Sequence, residues 1–311
     1  MYSTEQLSQI IEQECQNLPL ENQPQGLFAP IKYIMEDGGK RMRPLLTLLA
    51  ANIFSDNINA ALSPAISVEV FHNFTLLHDD IMDKAPLRRG RETVHVRWNE
   101  NAAILSGDAM LILAYQILCR DSTNKELLIE FNKVSMEVCQ GQQWDMEFER
   151  REQVAVEEYL NMIRLKTAVL MASALKMGAL AVAAAPEECE ELYEFGINLG
   201  LAFQIQDDLL DTYGNYETFG KTIGGDIAAG KQTFLKISAL QRADQGQKRI
   251  LQTNRDHATV RTIYDRLEVE QTAQAAVEKY FARAMTHLNT IESERINPLR
   301  SYALQLLRRE K

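Results

Sequence analysis

His78-Asp79-Asp80-Ile81-Met82-Asp83 decides how this chain is read. It closes the apolar run from Ala65 to Leu77 and is followed by Pro86-Leu87-Arg88-Arg89-Gly90. The run predicts a helix from about Ser63 to Asp83. On that helix Asp79 and Asp83 stand four residues apart and project from one face. Asp80 lies about 100° round the axis at nearly the same height. Three carboxylates at one helix end repel one another, and a cation among them removes that cost. Taken alone, the stretch reads equally well as a solvated acidic helix end.

Gln206-Asp207-Asp208-Leu209-Leu210-Asp211 repeats the spacing 128 residues later (207 − 79). It too follows a helical apolar pattern, Leu192, Phe195, Leu199 and Phe203. Two such ends facing one cavity suit hard divalent cations with oxygen ligands. Mg²⁺ is the natural choice, since one or two carboxylates plus substrate phosphates usually hold it.

The chain has 311 residues, 46% apolar and 24% charged, which suits one or two globular domains. Its net charge of −10 argues against a nucleic-acid partner but leaves room for local basic sites on small anions. Cys15, Cys119, Cys139 and Cys189 form no CxxC pair and read as small core residues in a reducing compartment. The polar N-terminus shows no signal peptide, and no uncharged apolar run reaches 18 residues. The expectation is a cytoplasmic protein with no membrane span.

Helical patterns dominate and no strand is convincing. Helices are expected over 4–14, 45–53, 63–83, 99–120, 124–150, 156–185 and 187–211, with an amphipathic helical remainder from Phe234 onward. Pro19, Pro24 and Pro30 are expected to punctuate the link after the first. Gly38-Gly39-Lys40-Arg41-Met42-Arg43-Pro44 puts Lys40 and Arg43 beside a helix N-terminus, where amides and dipole also favour anions. A basic solvated loop is the plain alternative. His72, two turns before Asp79, is a packed core residue or a cavity group. Arg88 and Arg89 offer planar forks for phosphate, each pointing its own way. Lys166-Thr167 sits in an apolar helix, where a lysine needs a partner or an anion. Gln140, Gln143, Trp144 and Glu147 share a face that is either cavity lining or solvated stripe. The glycine-rich stretch from Tyr213 to Asp226 reads as a flap, and Gly230-Lys231 as the start of the next helix.

Together these residues resemble the trans-isoprenyl diphosphate synthases of the short-chain farnesyl and geranylgeranyl type. The motifs that carry the resemblance are GGKRMRP at 38–44, LHDDIMD at 77–83, RRG at 88–90, KT at 166–167, FQIQDD at 203–208 with Asp211, Lys221, and GK at 230–231. The resemblance implies an all-α fold, a single domain over 1–311 with ten or more helices round a central cavity, and a homodimer. It implies head-to-tail condensation of isopentenyl diphosphate with an allylic diphosphate. Asp79, Asp83 and Asp207 then hold Mg²⁺ on the allylic diphosphate, supported by Asp80 and Asp211. Arg88, Lys166, Lys221 and Lys231 bind that diphosphate. Lys40, Arg43, His72 and Arg89 bind isopentenyl diphosphate, and Thr167 and Gln204 sit near the developing cation.

Product length is expected to depend on what blocks the tunnel before Asp79. Phe74 and Phe71 precede it by about 7.5 and 12 Å of helix, and Thr75 is not aromatic. The stretch Phe74-Thr75-Leu76-Leu77-His78 resembles that of geranylgeranyl synthases, a resemblance that implies fifteen to twenty carbons, with twenty favoured. A terpene cyclase also uses DDxxD but binds one diphosphate and has no use for the GGKRMRP pocket. A non-catalytic partner subunit is expected to lack site residues, and none is missing. A di-iron bundle finds only Glu69/His72 and Glu92/His95 as ExxH pairs, the second in a link.

Overall fold

A computed structural model describes residues 1–20, 22–36, 39–120, 124–214 and 223–308. Its helices are α1 (Thr4–Gln16), α2 (Gln25–Met35), α3 (Met42–Phe54), α4 (Asn59–Met82), α5 (Val94–Arg97), α6 (Glu100–Arg120), α7 (Lys125–Phe148), α8 (Val156–Ile163), α9 (Val169–Ala181) and α10 (Pro186–Tyr213). There follow α11 (Gly225–Ala229), α12 (Phe234–Arg242), α13 (Gln245–Thr253), α14 (His257–Arg266), α15 (Val269–Asn289) and α16 (Asn297–Leu307). The all-α expectation holds. The one sheet among the described residues is a hairpin of two-residue strands, β1 (Leu87–Arg88) and β2 (Arg91–Glu92).

Several boundaries move for local reasons. Ser3 caps α1, with Ser3 Oγ accepting from Gln6 N–H and Gln6 Oε1 from Ser3 N–H. The expected proline-punctuated link contains α2, with Pro24 at its N-cap and Pro30 inside it. Pro186 opens α10, where a first-turn proline loses no hydrogen bond, and does not merely end the helix before it. The helix expected over 156–185 is broken by a π-helical turn, Arg164–Ala168. Gly230 caps α11 and does not begin α12. Most of the expected flap, residues 215–222 with Lys221, lies outside the described residues.

The chain divides into two compact units. The first comprises 1–131, 174–190 and 293–299. There α4 packs on α3 and α6, and α2 on α6. Its core holds Leu46, Leu49, Val68, Phe71 and Phe131, all at most 1% exposed. Helix α6 is the one described helix long and apolar enough to cross a bilayer, although 39% of its most apolar window is buried inside the protein. It escaped the sequence reading because Asp108 interrupts the run. The second unit comprises 132–173, 191–292 and 300–311, where α12 packs on α15, α14 and α8.

The four cysteines form no disulfide, but only Cys15 and Cys189 are buried; Cys119 and Cys139 are exposed, contrary to the core reading. Gln140, Gln143, Trp144 and Glu147 are all exposed, which favours the solvated stripe.

Candidate active site

In the first unit Arg41 takes a left-handed conformation (φ 42°) to start α3. Its guanidinium turns inward, donating to Glu69 Oε1 at 2.7 Å and to the Met35 carbonyl. Buried Glu69 also accepts from Asn73 Nδ2 at 3.0 Å. Arg41 is thus consumed by structure. Its neighbour Lys40 is exposed, and Arg43, two residues on, lies half-buried.

Arg43 Nη1 stands 3.0 Å from His72 Nε2. A guanidinium only donates, so His72 accepts through Nε2 and is neutral. Burial, then Arg43, Arg89, Arg88 and Arg41, hold the imidazole well below its ordinary pKa. These cations therefore gather round one point. Gly39 (φ 51°) lets them meet: a Cβ there would lie 2.7 Å from Arg89 Nη1. The hairpin turns on Arg89 and Gly90, with φ of 51° and 78°.

At the end of α4, Asp79 is half-buried and Asp83 is exposed. Asp80 differs. It is 3% exposed and accepts from Arg88 Nε through both oxygens at 2.9 Å, with Arg88 Nη2 at 2.8 Å. Burial pushes this carboxyl up, and Arg88 pulls it back. The pairing gives Asp80 a cation of its own, which the sequence reading lacked. Below it runs a file of rings in edge or tilted contact: His78 on Phe74 (4.8 Å), Phe74 on Phe71 (5.5 Å), Phe71 on Phe131 (5.4 Å) and Phe131 on Tyr115 (4.9 Å). Gly107 on α6 makes room for His78, since a Cβ would meet its ring at 2.2 Å. Thr75 returns its hydroxyl to the His72 carbonyl at 2.8 Å.

In the second unit the π-helical turn carries Lys166 and Thr167. Lys166 Nζ donates to Asp145 Oδ2 at 2.5 Å, which supplies the partner that a lysine there needs. Gly141 on α7 allows the approach, because a Cβ would stand 2.3 Å from the Lys166 backbone nitrogen. Thr167 Oγ1 donates to Gln204 Oε1 (3.1 Å), and Gln204 Nε2 donates to Asp208 Oδ1 (3.3 Å). Asp208 is 4% exposed and also accepts from the Tyr159 hydroxyl (2.5 Å) and the Phe234 N–H (3.0 Å). Burial and Asp226 push its carboxyl up. Asp207 is half-buried, whereas Asp211, 9% exposed, accepts from the Asp226 N–H at 3.0 Å. Lys231 follows the left-handed Gly230, its own N–H bonded to the Asp226 carbonyl.

The first unit therefore brings together Arg43, His72, Arg88 and Arg89 beside Asp79, Asp80 and Asp83. The second gathers Lys166, Thr167, Gln204 and the Asp207–Asp211 stretch, with Lys231 near Asp211 through Asp226. Reading the sequence missed Asp145, Tyr159 and Asp226. Only Gly141, an isolated glycine in a helical pattern, signalled a close approach. Among the described residues no three His, Cys, Asp or Glu side chains converge tightly enough to bind a metal alone. An ion at Asp79 and Asp83 thus needs further oxygen ligands, and diphosphate is such a ligand.

A family model described as polyprenyl synthetase matches residues 24–267. The chain is 41% identical over 223 residues to a geranylgeranyl diphosphate synthase of Methanosarcina mazei, covering 70% of this chain and 69% of that one. It is 37% identical over 257 residues to a geranylfarnesyl diphosphate synthase of Natronomonas pharaonis, covering 76% and 74%. A crystal structure of a geranylgeranyl pyrophosphate synthase superposes with a TM-score of 0.92 at 40% identity, covering all of both chains.

Proposed function

The chain belongs to the polyprenyl synthetase family, and from that premise we propose that it condenses isopentenyl diphosphate head-to-tail with an allylic diphosphate. It is a prenyltransferase. The observation that carries the reading is the gathering of Arg43, Arg88 and Arg89 round a neutral His72, beside the acidic end of α4. A basic pocket and a carboxylate face on one helix suit two diphosphates handled differently, one by cationic side chains and one by carboxylate-held cations.

Asp79 and Asp83 of the first unit, and Asp207 of the second with Asp211 in support, would hold Mg²⁺. All are hard oxygen donors. The bound cations supply charge neutralisation for the departing diphosphate. Arg88, Lys166, Lys221 and Lys231 bind the same group. Asp80 acts through Arg88, holding Nε and Nη2 so that Nη1 meets a phosphate oxygen. Lys40, Arg43 and Arg89 bind isopentenyl diphosphate, and His72 fixes Arg43 by accepting its hydrogen bond. The Thr167 hydroxyl hydrogen is committed to Gln204, so Thr167 presents lone pairs to the developing allylic cation. Exclusion of water from this region protects that cation. Among the described residues no histidine or glutamate is placed as a base, and the released diphosphate takes the final proton.

The ring file from His78 to Tyr115 supports a floor at Phe74 and Phe71, and a product of twenty carbons. We further propose a cytoplasmic homodimer built on α6, whose Ile104, Leu105 and Ile112 are 46%, 60% and 59% exposed along one side of the helix. The test is to incubate the purified protein with Mg²⁺, isopentenyl diphosphate and dimethylallyl, geranyl or farnesyl diphosphate, then size the products. Geranylgeranyl diphosphate is expected, and Phe74→Ala should lengthen it. Cyclised or hydrolysed allylic substrate without condensation would overturn the reading.

A further inference from the structure

Lys236, on the first turn of α12, is 8% exposed, and its ammonium donates to the Gly230 carbonyl at 2.9 Å. Among the described residues no carboxylate pairs with it, and Arg255 adds a second positive charge nearby. A buried lysine without a counter-ion is costly, so the fold gains something from keeping it.

What it holds is a particular bend. Gly230 (φ 73°) ends α11, with its N–H on the Ile227 carbonyl and the Lys231 N–H on the Asp226 carbonyl. Both bonds face back into α11 and leave the Gly230 carbonyl pointing away. Lys236 takes that carbonyl. Thr233 in turn fixes the start of α12, its Oγ1 accepting from Lys236 N–H at 3.3 Å. Arg255 covers the other side of the bend: a Cβ at Gly230 would lie 2.5 Å from Arg255 Nη2. The space enclosed by Asp226, Lys231, Lys236 and Arg255 is about 10 Å³, room for one water and no ligand. Lys236 therefore acts through the backbone and not on a substrate.

We propose that Lys236 is a positioning residue for the prenyl transfer: through the Gly230 carbonyl it fixes Lys231 for the allylic diphosphate. This rests on the role given to Lys231 above. With isopentenyl diphosphate saturating, Lys236→Met should raise KM for the allylic substrate about fivefold to tenfold, the worth of one hydrogen bond. The kcat and the KM for isopentenyl diphosphate should stay within about twofold. Lys236→Gln, whose amide can reach the same carbonyl, should recover most of the loss. Lys231→Ala should raise the allylic KM, and Lys236→Met should add nothing to it. An unchanged allylic KM in Lys236→Met, with Lys231→Ala impaired, overturns the positioning role alone. An unchanged KM in Lys231→Ala overturns the assignment of Lys231 and this inference with it. Should Lys236→Met not fold, Lys236→Ala carries the same comparison.

Discussion

The two acidic helix ends share a spacing and little else. At the end of α4 the middle aspartate, Asp80, is buried against the Arg88 guanidinium, while Asp79 is half-buried and Asp83 exposed. At the end of α10 the middle aspartate, Asp208, is buried under neutral donors, Tyr159, Phe234 N–H and Gln204. The last, Asp211, is also committed, to the Asp226 N–H. One pattern of letters thus leaves two carboxylates at least partly exposed in the first case, Asp79 and Asp83, and one, Asp207, in the second. Burial pushes both carboxyls upward; the Arg88 guanidinium pulls Asp80 back, whereas at Asp208 the neutral donors pull against burial and the Asp226 charge together.

The sharpest break between the ends is kinetic. Asp79→Ala should cut kcat about 10²–10³-fold, while Asp211→Ala, whose carboxylate already serves Asp226, should cost about tenfold. Steady-state rates at saturating Mg²⁺ decide it, and equal losses would erase the distinction. Stability gives the next contrast. Arg88→Ala strands the Asp80 carboxylate and should cost about 3 kcal/mol in urea unfolding. Tyr159→Phe removes one of several neutral donors from Asp208 and should cost about 1–2 kcal/mol. The glycines behind each end differ too. A Cβ at Gly141 meets Lys166 backbone, and one at Gly107 meets only the His78 ring. Gly141→Ala should therefore cost about 2 kcal/mol more than Gly107→Ala, because a side chain can yield where a backbone cannot.

The smallest effect lies just beyond the second end. Burial lowers Lys236 to about 8 in the folded chain, against 10.5 as its ordinary value. Between these values the unfolded chain binds more protons, so this group makes stability rise with pH across the window. Below about 8 the buried charge is a full cost. Lys236→Met should be about 1 kcal/mol more stable than the parent at pH 7, after losing its hydrogen bond. The gain should shrink toward pH 10.5. A variant both more stable and poorer at holding its allylic substrate would mark Lys236 as kept for function.

Much of this was legible in the letters. The apolar periodicity before Asp79 and Asp207 placed α4 and α10 within a few residues, and both DDxxD sets lie at helix ends. Lys40, Arg43, Arg88 and Arg89 stood out by type and spacing. What the letters hid was pairing. Asp80 and Arg88 are eight residues apart, one near the end of α4 and the other on a two-residue strand too short to show any periodicity. Asp145 and Lys166 come from different helices, and nothing local marks either as the other's partner. Pro30 misled because it lies in the middle of α2, where a proline removes a backbone donor and its letter alone reads as a break, yet the helix runs on across it. Lys236 looked like any surface lysine, since burial belongs to the fold and not to the residue.

The π-helical turn at Arg164–Ala168 carries one more residue than regular pitch would take up. Excising a single residue there would return the rod to regular pitch and shift the residues of the turn itself by about 100° round the axis, while the flanking helices kept their faces. Thr167 would swing off Gln204 and Lys166 off Asp145. No exchange of one side chain for another in that segment would be as damaging as shortening it by one, because the two contacts depend on a count and not on an identity.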